Sequence, residues 1–214
     1  MRVSRLHTIL FVALVSIALC GSALANSVTM TFKGQYGSGN GNGGNPFYFS
    51  INGSSTLTPL LCDSFDNDIH LGETWQATVT PFLQGIGMFG STMSLDYKAA
   101  GLIFKSMLAG QLTTSAAQWA IWGLFSTNAQ NNPMFATMNG ASIEATYLAL
   151  AANAPNSAFN GLVLYTPIAG TQSSGGLPQE FIGFSPVPEP TTLTLMGTGL
   201  LALAGKLRRK LAKS

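Results

Sequence analysis

Ser27-Val28-Thr29-Met30-Thr31-Phe32 sets Val28, Met30 and Phe32 alternately with Ser27, Thr29 and Thr31. A period of two marks a strand with one buried face, so the body of the chain begins as sheet, out to about Tyr36. Residues 37–45, Gly-Ser-Gly-Asn-Gly-Asn-Gly-Gly-Asn, break the pattern. Within them Gly39, Gly41 and Gly44 satisfy G-x-G-x-x-G. A phosphate cradle needs that loop to open a helix, whereas Phe47-Tyr48-Phe49 after Pro46 reads as another strand, so the segment is a glycine/asparagine hairpin connection. Residues 47–51 and 56–62 continue as a meander with Asn52-Gly53 as its turn. Residues 75–80 alternate once more, through Trp75, Ala77 and Val79, before Pro81.

The period changes after Ser91. Leu95, Ala99, Leu102, Ile103 and Met107 recur at helical spacing, which predicts a helix over 94–108 that ends near Gly110, with Lys98 and Lys105 toward its polar face. A second helix starts at Thr113, Thr114 or Ser115 and carries Ala116-Ala117-Gln118-Trp119-Ala120-Ile121-Trp122-Gly123-Leu124-Phe125. Residues 142–152 predict a third, with Ile143, Tyr147, Leu148 and Ala151 on one face. After Pro155 strands return over 161–166 and 180–184. The expected fold is α+β: an antiparallel β-sandwich or barrel-like sheet with an inserted helical subdomain of about three helices.

Both ends of the chain read as targeting segments. Arg2 and Arg5 precede an apolar run over 9–19, and Ala23-Leu24-Ala25 has small residues where a signal peptidase reads, so residues 1–25 are expected to be a signal peptide cut after Ala25. Leu19 stands before Cys20 where lipidation needs a small residue, which disfavours a lipoprotein. At the other end Val187-Pro188-Glu189-Pro190 leads into an uncharged run over 191–205 and then Lys206, Arg208, Arg209 and Lys210. The prolines hold the knuckle extended. A helix over the apolar run reaches about 22 Å against a hydrocarbon core of about 30 Å, short for a permanent anchor, and the basic end favours the cytoplasmic side. This order resembles the PEP-CTERM sorting signal over residues 186–214. The resemblance implies exosortase processing near Pro188, Glu189 and Pro190, an inner-membrane intermediate held by the C-terminal helix, and delivery to the cell surface or extracellular matrix.

Between those ends, residues 26–185 form one expected exported domain. They hold three lysines (Lys33, Lys98, Lys105) against seven acids, so this body is near −4 although the whole chain is formally +2. Without clustered cations nucleic-acid binding is excluded. Cys62 is the one cysteine left after cleavage at Ala25, so it has no internal disulfide partner and no multi-cysteine zinc set. It is a buried thiol, an intermolecular partner or a reactive group. The loop after it, Asp63 to Glu73, carries Asp63, Asp66, Asp68 and Glu73, which suit calcium chemically but lack EF-hand spacing, and a solvated turn is the simpler reading. Cys62 and His70 would make a nucleophile and base, with no third residue evident to orient them.

Gln118 admits two readings. It lies at the last place of S-x-x-Q from Ser115, a capping box. Leu61-Cys62 at a strand end and Ala117-Gln118-Trp119-Ala120-Ile121-Trp122 at a helix start also resemble the paired signatures of bacterial surface thioester domains. Asp63 departs from that pattern, where an apolar residue is usual. The resemblance implies that the Cys62 sulfur attacks the Gln118 carboxamide and expels ammonia, while Trp119 and Trp122 shield the bond. A helix N-terminus would lower the thiol pKa. The product is a one-shot electrophile toward surface amines, hydroxyls or exopolysaccharide, without turnover. The chain is therefore expected not to be an enzyme and to need no cofactor or metal. The alternative is a non-catalytic extracellular-matrix or carbohydrate-associated protein in which Trp119 and Trp122 are core.

Overall fold

The computed structural model describes residues 26–35, 46–84, 86–90, 94–173 and 176–185. The expected signal peptide with Ala25, the glycine/asparagine loop, and Pro188, Glu189 and Pro190 with the C-terminal helix lie outside these residues. Among the described residues no helix is long and apolar enough to cross a membrane.

Strand β1 (Asn26–Gly34) buries Val28, Met30 and Phe32 and leaves the alternate residues partly or fully open, as the period requires. It pairs with β2 (Phe47–Ile51) on one side and β4 (Thr74–Pro81) on the other, both antiparallel. The Asn52-Gly53 turn has φ of 52° and 76°, and Ser54 N–H closes it on Ile51 O at 3.0 Å. Positive φ at both central residues is the twist-matched hairpin turn that Asn-Gly favours. Strands β3 (Thr58–Cys62), β5 (Leu162–Pro167) and β6 (Phe181–Phe184) complete a closed barrel in the order β1-β2-β3-β6-β5-β4. The sheet is thus a barrel, and the sandwich alternative falls away. Aromatics fill it: Phe49 meets Phe181 edge-on at 4.6 Å and Trp75 at 5.6 Å. Such pairs add about 0.5–1.5 kcal/mol each beyond area burial.

One side of the barrel is buried twice. Along β3 and β6 the side chains of Leu60, Cys62 and Phe181 join the interior cluster, while Leu61 and Ile182 join a second cluster formed with the helices. That double burial is why these strands read as continuous apolar runs. The covering helices are α1 (Ser94–Leu108) and α2 (Thr114–Phe125), the short α3 (Thr127–Gln130) and α4 (Pro133–Thr137), then α5 (Gly140–Asn153) and a 3₁₀ turn at Asn156–Phe159. The three long helices are those expected from periodicity. The two short ones are held by side-chain caps, Ser126 Oγ accepting from Ala129 N–H and Asn132 Oδ1 from Met134 N–H.

Thr113, not Ser115, caps α2: its Oγ accepts from Ala116 N–H at 3.2 Å. Gln118 is therefore the fifth residue of the helix and no part of a capping box. Its side chain is free to point across the junction to β3.

Candidate functional site at the barrel–helix junction

Cys62 ends β3, and by then β2 no longer faces it, because the β2–β3 register closes at Phe47 opposite Leu60. On its other side β3 still pairs with β6, Cys62 opposite Phe181. The Gln118 carboxamide fills the missing place. Its Oε1 accepts from Cys62 N–H at 3.1 Å and its Nε2 donates to Cys62 O at 2.5 Å. Both residues are fully buried. Two residues 56 apart in sequence are thus locked in a two-bond ring that imitates a neighbouring strand. Without it, one buried donor and one buried acceptor would be unmatched, each costing about 1–3 kcal/mol.

The thiol sits inside the barrel cluster. Ser64 N–H donates to Cys62 Sγ at 3.3 Å, and Sγ faces Ser64 O at 3.5 Å. Burial pushes the thiol pKa well above its ordinary value, and the charges of Asp63 and Glu180 push it further. The Trp122 indole and the Ser64 N–H offset only part of that rise. The expected lowering by the start of α2 is overridden, since desolvation and two acidic neighbours outweigh a helix end, and the resting group is a thiol. Trp119 and Trp122 pack edge-to-face at 5.1 Å, and the Phe65 ring covers both, at 5.6 Å from Trp119 and 5.2 Å from Trp122. Together the three rings wall off the Cys62 side of the junction. The Trp122 Nε1–H is buried and has no hydrogen-bond partner.

The acids of the loop after Cys62 go to separate tasks. Asp66 accepts from Ser126 Oγ at 2.7 Å and from Asn128 Nδ2 at 2.8 Å, tying the loop to the start of α3. Glu73 Oε2 accepts from His70 N–H at 2.9 Å. Asp68 is exposed. These positions do not gather into a cation site. His70 is exposed while Cys62 is fully buried, so the structure does not bring them together as nucleophile and base.

Asp63 belongs to a group that sequence reasoning missed. Its carboxyl is fully buried beside Glu180, accepts from Ser64 Oγ at 3.0 Å through Oδ1, and leaves Oδ2 without a partner. Burial first, and then Glu180, hold the Asp63 pKa well above the usual carboxylate range. Glu180 itself accepts from Tyr97 Oη at 2.6 Å, from Met88 N–H at 2.9 Å and from Thr166 Oγ1. The available signal was local: each acid directly adjoins a strand that is buried on both faces, Leu61-Cys62-Asp63 and Glu180-Phe181-Ile182. Next to the rings opens a cavity of about 460 Å³, lined by Phe65, Asp68, Trp119, Trp122, Asn132 and Gln179 among others.

Comparison with known proteins informs only the end of the chain. No curated protein and no solved structure matches it. Residues 186–210 match the PEP-CTERM protein-sorting motif family, directly after the last barrel strand. The chain thus carries a PEP-CTERM sorting motif, the mark of an exported protein processed by exosortase at the membrane.

Proposed function

We propose that this protein attaches covalently to a surface through an internal Cys62–Gln118 thioester displayed by the exported domain of residues 26–185. The observation that carries the reading is the direct contact of the two residues, with the carboxamide held against the cysteine by two hydrogen bonds in a water-poor junction. Holding nucleophile and acyl group together removes most of the entropic barrier to such a reaction. In the bond-forming step the Cys62 sulfur attacks Cδ of Gln118, the C–N bond breaks, and the thiol proton leaves with the nitrogen as ammonia. An amine or hydroxyl on another surface then attacks the carbonyl carbon, the C–S bond breaks, and the acceptor's proton returns to sulfur. One event consumes the site, so the protein is an adhesive and not an enzyme. Trp119, Trp122 and Phe65 limit hydrolysis by excluding water.

Signal peptidase removes residues 1–25 in this scheme. The tail of residues 186–214 holds the protein at the inner membrane until exosortase acts near Pro188 to Pro190 and passes it to the cell surface or extracellular matrix. A second reading has its own support. Cys62's backbone satisfies both ends of the Gln118 side chain and the thiol is held protonated, which suits a permanent structural lock in a non-catalytic matrix or carbohydrate-associated protein.

Intact mass of the exported protein, purified from the envelope without exposure to amines, separates the two. Absence of one ammonia together with no labelled thiol under denaturing conditions supports the thioester. Full mass with one labelled cysteine supports the lock.

A further inference from the structure

We propose that the indole N–H of Trp122 is the hydrogen-bond donor to the Cys62 sulfur whenever that sulfur carries negative charge, so that Trp122 takes part in the chemistry of the site as well as covering it. The inference rests on the thioester reading for its chemical purpose, though its geometric basis is independent. Trp122 lies four residues after Gln118 on α2, so its side chain shares the helix face that carries the carboxamide. The ring is 7 % exposed and is braced by Phe65 at 5.2 Å and Trp119 at 5.1 Å. Its Nε1–H is fully enclosed and makes no hydrogen bond in the resting state. An enclosed donor without a partner is destabilising, and Phe at this position would provide the same cover without that cost. Trp122 and Cys62 belong to the same buried cluster, and the indole is the one side chain that works to lower the thiol's pKa.

A neutral thiol is a poor acceptor, so the indole N–H is idle at rest. Charge builds on sulfur at two moments. During bond formation the S–H bond loosens as sulfur attacks Gln118 Cδ and the proton moves toward the departing nitrogen. During opening the C–S electron pair falls back on sulfur before the acceptor's proton reaches it. Around the sulfur, β3 and the loop after it contribute Asp63 and the Ser64 N–H, the approach to β6 contributes Glu180, and α2 contributes Trp122. The two carboxyl groups disfavour a thiolate. Trp122 and the Ser64 N–H are the donors available to oppose them, and a donor aimed at developing charge in a dry site acts mainly on the transition state.

The test is Trp122→Phe, which keeps the ring and removes the donor. In exported protein carrying the thioester, opening by methylamine followed by mass should be about ten- to a hundredfold slower than in wild type, the factor for one hydrogen bond to a charged group. A shield alone predicts an unchanged or faster reaction, and either result would overturn the inference. Trp122→Ala provides the contrast, since losing the ring admits water and speeds hydrolysis. If wild type carries a free thiol, the thioester reading fails and the donor is judged separately. In that form the Trp122 indole ¹⁵N–¹H resonance should move as Cys62 ionises in a high-pH titration, and Trp122→Phe should raise the Cys62 midpoint, followed by ¹³Cβ shift, by about one unit or more. A resonance and a midpoint that both stay put would sink the proposal in either chemical form.

Discussion

The Tyr97 hydroxyl donates to Oε1 of Glu180 at 2.6 Å and accepts from Phe89 N–H at 3.1 Å, which ties α1 to the start of β6 across 83 residues. Burial, with Asp63 and Glu180 close by, holds the phenol far above its ordinary pKa, so it remains a donor at any pH the fold survives. Tyr97→Phe should cost about 2–3 kcal/mol, the range for a buried hydrogen bond to a carboxyl group plus an orphaned backbone donor. Urea unfolding checks it. An unchanged midpoint would mean that water replaces the hydroxyl at both partners.

Phe65 covers Trp119 and Trp122 from the loop that Asp66 pins to α3. Phe65→Ala should lower stability by only about 1–2 kcal/mol, because the ring is half-buried. Its larger effect is on access: native-state labelling of Cys62, or opening of its thioester by methylamine, should be faster than in wild type. Equal rates would place the barrier to entry elsewhere.

Gly123 on α2 has no room for a side chain. A Cβ there would lie 2.0 Å from Glu144 Oε1 and 2.4 Å from Phe135 Cε2. Alanine improves helix propensity by about 1 kcal/mol, but overpacking at such distances costs about 1–3 kcal/mol and the Phe135 ring is buried. Gly123→Ala should therefore lower the thermal midpoint despite the propensity gain. A raised midpoint would show that α2 and α5 separate easily.

Glu144 is an acid placed where charge is unwelcome. Burial, and then Asp96, push its pKa up to about 7. A carboxyl raised in the folded state costs nothing while both states are protonated, so stability is highest below the unfolded value. It falls as pH rises from about 4.5 to about 7 and levels off above that. Because the group is half-exposed, solvent screening reduces the drop to roughly 1 kcal/mol. Asp63 and Asp96 are shifted the same way and add to the trend. Urea midpoints should be higher at pH 5 than at pH 8, and Glu144→Gln should flatten part of the slope. A flat profile in wild type would contradict the burial argument.

What the amino-acid pattern discloses depends on how local the cause is. Alternation over Val28, Met30 and Phe32 and the Asn52-Gly53 pair are properties of neighbouring residues, and β1 and the turn after β2 follow them. The long α1 matches its helical period from Ser94 to Leu108. Single-turn helices have no period to detect, so α3 and α4 were marked only by the capping side chains of Ser126 and Asn132. The S-x-x-Q spacing misleads at Gln118 because Thr113 starts the helix two residues earlier. The closeness of Cys62 and Gln118 was legible through paired motifs, but the manner of contact, through the cysteine backbone, was not. Asp63 and Glu180 meet only because the barrel closes, an event that no window of sequence contains.

The closing strand is also the last to be made. β6 ends at Phe184, and the sorting motif begins at residue 186, so one residue separates them. Its partners Leu61 and Cys62 were synthesised some 120 residues earlier and wait for Ile182 and Phe181 to arrive. Such sequence-distant pairings are slow, because the intervening loop must lose its entropy before the contact forms. Threading through an export channel therefore cannot yield a finished barrel part-way. In the sorting scheme proposed above, the final strand would clear the channel just ahead of the sorting motif, which would make recognition of the tail and completion of the fold nearly simultaneous. On that scheme the stage before exosortase acts is where an immature chain would acquire its sealed core.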